Sequence, residues 1–142
     1  MDINNSLSKF TYLGNSIKKL NIKNEIVNVI GEVSPSFDLD FNIIEVSKKE
    51  SNLYGIILMD LKVEINVNDN ISKFEFQFEG AFTGVEISEN EFNEILMFNG
   101  AACLYSIARS KVENISSLTF NNYTIKLPMI NMNQFIKNKL EN

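Results

Sequence analysis

The residue types that most often perform chemistry are nearly missing from this chain of 142 amino acids. There is no histidine, so the usual general base and the commonest metal ligand are absent. The one cysteine, Cys103, can form neither an internal disulfide nor a thiolate metal site, and it reads as a small core hydrophobe. Arg109 is the only arginine. Carboxylates are plentiful, and paired carboxylates can do acid–base work. Here, however, they stand singly at alternating strand positions or on a helix, the pattern of a solvated face. No string resembles a phosphate-cradling loop. The expectation is a protein that is not an enzyme and needs neither cofactor nor metal.

What remains to work with is apolar and adaptable. The stretch from Asn24 to Pro35 carries Ile26, Val27, Val29, Ile30 and Val33 and lacks the composition of a linker. A connection this apolar must pack on something, or line a groove. A second set, Phe120, Tyr123, Met129, Met132 and Phe135, lies near the C-terminus. Methionine is unbranched and polarizable, so a surface that contains it fits many partner sequences. These ten residues are the candidate binding set, although some of them must also close the core.

Charge and hydropathy narrow the partners. Eighteen acidic against thirteen basic side chains leave a net charge of −5, which argues against nucleic acid. The longest apolar run, Ile56-Ile57-Leu58-Met59, is far too short for a membrane span. The opening Met1-Asp2-Ile3-Asn4-Asn5 has no apolar signal core, and with one cysteine a reducing cytoplasmic home is expected. The length suits a single domain over 1–142.

Four stretches alternate with period two, as strands do. Leu61, Val63, Ile65 and Val67 share a face opposite Asp60, Lys62, Glu64 and Asn66. Phe37 to Ile43 alternates strictly, and Phe74, Phe76 and Phe78 form one face of a further strand, expected to be the sheet's buried side. A weaker strand runs around Ser16 to Lys23. Polar turns at Lys48 to Asn52 and Asn68 to Asn70 predict antiparallel hairpins. After Gly84 the period becomes helical. Ser88 and Glu91 form a capping box, and Phe92, Leu96, Cys103, Ile107 and Val112 carry the pattern to about Ser117. Such a helix spans about 43 Å at the usual rise. Gly100-Ala101-Ala102 removes bulk in its middle, which suits close approach of another element. Pro128 ends an extended segment before a second helix from about Asn131 to Leu140. The predicted class is α+β: a four-stranded antiparallel sheet followed by one long and one shorter helix.

This order, with several local strings, resembles the bacterial export chaperone SecB and its relatives over about residues 16 to 140. The strings are Gly80-Ala81-Phe82, Leu104-Tyr105-Ser106-Ile107-Ala108-Arg109, Thr119-Phe120 and Ile125-Lys126-Leu127-Pro128-Met129-Ile130-Asn131-Met132, with Pro35 opening the second strand. The resemblance implies a homotetramer built as a dimer of dimers, with Gly100, Ala101 and Ala102 at a subunit interface. It also implies that unfolded polypeptides bind in grooves lined by the ten residues above. The family docks on the translocase motor SecA partly through acidic residues. Glu75 matches one of them, but Lys19 and Lys23 stand where the first-strand acids belong, and that reversal opposes SecA binding. A dedicated chaperone for an antitoxin, with no export role, is the first alternative. A small-ligand-binding α+β domain with a closed apolar pocket is the second.

Overall fold

The computed structural model describes residues 9–142; the polar N-terminal stretch lies outside the described residues. Four strands, β1 (Phe10–Asn24), β2 (Ser36–Lys49), β3 (Asn52–Val67) and β4 (Asn70–Val85), form one antiparallel sheet in the order β1-β4-β3-β2. The two hairpins turn through Glu50 and Asn68, both in the left-handed region. Because β1 and β2 occupy opposite edges, the segment between them must cross the sheet. That segment is the apolar stretch after Asn24.

The strands outrun the alternation that announces them, and bulges explain why. In β1 the register shifts between Tyr12 and Gly14 and again between Ile17 and Lys19; in β2 it shifts between Ile43 and Glu45. Each extra residue moves the next apolar side chain to the other parity, so a period-two pattern dissolves although the strand continues. β3 has no such shift, and Leu53, Ile57, Met59, Leu61, Val63 and Ile65 all point inward. On β4, Phe74, Phe76 and Phe78 are buried as expected, stacked at 6.0 and 5.6 Å between ring centres.

The long helix forms with a discontinuity. Ser88 accepts from the Glu91 amide at 3.2 Å and starts α1 (Glu89–Ile95). A π-helical turn, Leu96–Gly100, follows, and α2 (Ala101–Thr119) continues from it. Phe92, Leu96, Gly100, Leu104, Ala108, Val112 and Ser116 are all buried, one every four residues. A repeat of four drifts around an α-helix of 3.6 residues per turn; the wider π turn absorbs part of that drift. The helix comes very close to the sheet at α1. A Cβ on Gly55 would stand 2.5 Å from Leu96 Cδ2, and one on Gly84 2.6 Å from Phe92 Cδ1.

After α2 the chain runs extended and unpaired through Leu127 and enters α3 (Met132–Glu141), capped by Asn131 accepting from the Gln134 amide. Ser116 holds this return in place, accepting from the Ile125 amide at 2.8 Å. Met132 and Ile136 anchor α3 to the core. Among the described residues, no helix is long and apolar enough to cross a membrane.

Candidate polypeptide-binding grooves

The crossover segment is clamped rather than loose. The Asn122 side chain reads the Val29 backbone twice, accepting from its amide at 2.8 Å and donating to its carbonyl at 2.7 Å. The Asn121 amide donates to the Val27 carbonyl at 3.2 Å. This fixes the segment over the end of α2 and divides its side chains. Ile26 and Val29 point down into the core, whereas Val27 and Ile30 are 64% and 75% exposed.

The ten candidate binding residues therefore separate into two groups. Ile26, Val29, Phe120 and Met132 are buried core, which corrects the expectation that they line a groove. Phe120, for instance, packs on Phe74 at 5.8 Å. Val27, Ile30 and Met129 are exposed, and Val33, Tyr123 and Phe135 are partly so. Burial in a helix or loop is decided by tertiary neighbours, which adjacent residues in sequence do not reveal.

The structure assembles a groove that the sequence pattern did not isolate. Phe37 and Leu39 of β2 form one wall; Leu127, Pro128, Ile130 and Phe135 form the other, above Leu61 and Tyr105. The cavity measures about 310 Å³. The Tyr105 hydroxyl donates to the Pro128 carbonyl and so ties the return segment to α2. Partial burial pushes the Tyr105 hydroxyl pKa up, against the opposing charge effect of Arg109, so it remains a donor. Phe37 and Leu39 were legible as strand residues. Their position on an open edge depends on strand order, which alternation does not encode. A second, wider groove of about 460 Å³ runs between the α1–π-turn segment and α3, with Ile95 and Phe98 facing Asn133 and Lys137.

Gly100 and Ala101 do not reach a surface where another subunit could sit. Both are buried against their own sheet, with Phe82 and Ile57 3.5 and 3.7 Å from a Cβ built on Gly100. The flat spot thus serves helix–sheet packing, and only Ala102 is partly exposed. Lys19 and Glu75 do come together on the uncovered sheet face, at 3.0 Å. The hydrogen bond and charge of Lys19 hold the Glu75 carboxyl below its ordinary pKa. Lys23 lies opposite Lys73 in the ladder. That face is of mixed sign, with Lys18 near Glu79 at 3.7 Å and Gln77 donating to Asp60 at 2.8 Å.

No family model matches the sequence, and no curated protein matches it. Among solved structures, the chain is similar to a SecB-like chaperone of Mycobacterium tuberculosis in complex with a ChAD peptide from the HigA1 antitoxin. Identity is 14%, over 85% of this chain and 90% of that one, with a TM-score of 0.60. A protein of unknown function from Streptococcus agalactiae is 13% identical over 84% of this chain and 97% of that one, at a TM-score of 0.45. The fold of this chain is SecB-like.

Proposed function

We propose that this protein is an ATP-independent holding chaperone, cytoplasmic and non-enzymatic, that takes non-native polypeptide segments into apolar grooves. The observation that carries the reading is the groove between β2 and the return segment, with Met129 beside it 86% exposed. Burial of client side chains there supplies affinity without sequence-specific contacts, about 0.8 kcal/mol per CH₂. A small-ligand site calls for closed walls, whereas Phe37, Leu39, Ile130 and Phe135 all remain partly exposed. Assembly as a homotetramer, a dimer of dimers, goes with this reading. Its support is the β1 edge, where Leu13, Ile17 and Leu20 are 54%, 39% and 43% exposed.

Between export and antitoxin service, the second is favoured. The fold neighbour holds an antitoxin peptide. Lys19 and Lys23 also place positive charge where SecA docking in the SecB family uses acids. The test is aggregation of a chemically unfolded client without ATP: suppression at stoichiometric amounts is expected. Aggregation that proceeds unchanged removes the reading. Calorimetry with the host's SecA and with an antitoxin segment then separates the two roles.

A further inference from the structure

We infer that the Tyr105 hydroxyl sets the width of the apolar groove, and with it the size of client side chain that the groove prefers. It does so by holding the Pro128 carbonyl, so Tyr105 is a positioning residue. The inference rests on the holding function above and goes further by naming what makes that site selective.

The two walls of the groove are held in unlike ways. Phe37 and Leu39 belong to β2 and lie opposite Val63 and Leu61 in a ladder unbroken from Ser36 to Ile43, so the sheet fixes that wall. The other wall belongs to the return segment, which pairs with no strand. Leu127 and Met132 are buried and pin the ends of a short span, Pro128 to Asn131. Proline has no amide proton, so Pro128 offers only its carbonyl. Among the described residues, the bond from Tyr105 to that carbonyl is the only hydrogen bond joining the backbone of the span to α2 or the sheet.

The ring and the hydroxyl of Tyr105 have separate roles. The ring is buried and, with Leu61, floors the 310 Å³ cavity. The hydroxyl reaches past the floor to the wall. Ligand cavities run from about 300 to 1,000 Å³, so this one is small and a slight shift of one wall changes what fits. Pro128 and Ile130 can move outward once released, because neither is buried. Phe37 and Leu39, laddered to β3, cannot follow them. A gap of about 0.5–1 Å already forfeits a quarter to a half of a contact's attraction. A wider groove therefore loses grip on small aliphatic side chains and relieves overlap with bulky rings. A hydrogen bond to an exposed residue has a modest net strength, which suits a setting that a client can override.

Tyr105→Phe keeps the floor and removes the tie. The probes are two labelled, capped peptides, Ser-Leu-Ser-Leu-Ser and Ser-Trp-Ser-Trp-Ser, titrated onto the full chain by fluorescence anisotropy. In the variant the leucine peptide should bind more weakly, and the tryptophan peptide as well as before or better. The ratio of the two affinities should move about fivefold or more towards tryptophan, as lost contact and relieved overlap add. Urea unfolding should change little, because the ring stays packed and Pro128 is exposed enough for its carbonyl to take water. A purely structural role would weaken both peptides alike. That result, or an unchanged ratio, overturns the inference, and so does a wild-type protein that holds an unfolded client yet binds neither peptide. Suppression of client aggregation by the wild type keeps the holding function standing in all three cases. If neither peptide nor client binds, the proposed function falls and this inference with it.

Discussion

The two edges of one sheet are finished in different ways. Along β2 the chain supplies its own cover: α3 lies beside it, Phe41 is fully buried, and the Lys139–Asp40 ion pair fastens the helix to the strand. Phe37 and Leu39, before Phe41, remain partly open. Along β1, among the described residues, Lys111 of α2 donates to Asn15, but the strand beyond it is left more open. Ile17 and Leu20 lie opposite Phe78 and Phe76, on the helix side of the sheet, yet stay substantially exposed. Exposed apolar edges invite pairing with another chain, and proteins usually block them with charge, proline or cover. A short opening beside a cavity suits a transient guest. A longer stretch of strand with exposed apolar residues on its helix side suits a permanent neighbour.

The largest effect should come from damaging the covered part of β2. Phe41→Ala empties a buried site under Phe135, and Phe to Ala in a core costs about 3–5 kcal/mol. Phe37→Ala, at a half-buried position in the same strand, should cost far less stability and instead impair client holding. Urea unfolding of both variants, with aggregation assays alongside, checks the contrast. Equal stability losses would mean that the groove wall belongs to the core.

Next comes the other edge. Ile17→Asp with Leu20→Asp puts two carboxylates where apolar contact is expected. If β1 is the permanent interface, light scattering should show the assembly dissociate, with a dissociation constant raised at least about a hundredfold, or roughly 2.7 kcal/mol. Chain folding should survive because both residues are already exposed in the single chain. A wild-type protein that is itself a monomer at micromolar concentration would remove the tetramer and this use of β1 together.

What could be read in advance follows the same division. β3 and the phenylalanine face of β4 were legible because they are central strands without bulges, so alternation maps directly onto burial. β1 was half legible: its bulges at Leu13 and Lys18 break parity where Phe10 to Asn15 extend the strand. The binding site was less legible still. Ile26 and Val27 are neighbours of the same kind, and only the Asn121 and Asn122 contacts decide that one points in and the other out. The Gly100-Ala101 flat spot was correctly read as a close approach, but the partner is the chain's own sheet.

Gly100→Leu tests that last point at intermediate cost. The added side chain would meet Leu96, Phe82 and Ile57, and overpacking of this kind costs about 1–3 kcal/mol. The variant should unfold earlier while the assembled fraction of the folded protein is unchanged. Dissociation without loss of chain stability would return Gly100 to a subunit interface.

The smallest effect concerns the clasp that makes β2 the covered edge. Burial pushes the Asp40 carboxyl pKa up. The hydrogen bonds from Lys139, the Phe41 amide and Asn42, with the Lys139 charge, outweigh it and hold the carboxyl below its ordinary value of 3.8. Asp60 sits opposite in the ladder but is itself engaged by Gln77. A carboxyl lowered on folding stabilises the native state fully above its unfolded value, and that contribution is lost as pH falls through the folded value. The Asp40 side chain is half exposed, so the pair is worth only about 0–1 kcal/mol. Lys139→Met keeps the packing stem and removes the charge. Its stability deficit relative to wild type should be measurable near neutral pH and shrink towards zero as pH falls below 3.8 and through the lowered folded value. High salt at neutral pH should shrink it as well. A deficit independent of pH and salt would mean that α3 is held by Met132 and Ile136 alone, and that the charge pair does nothing to distinguish the two edges.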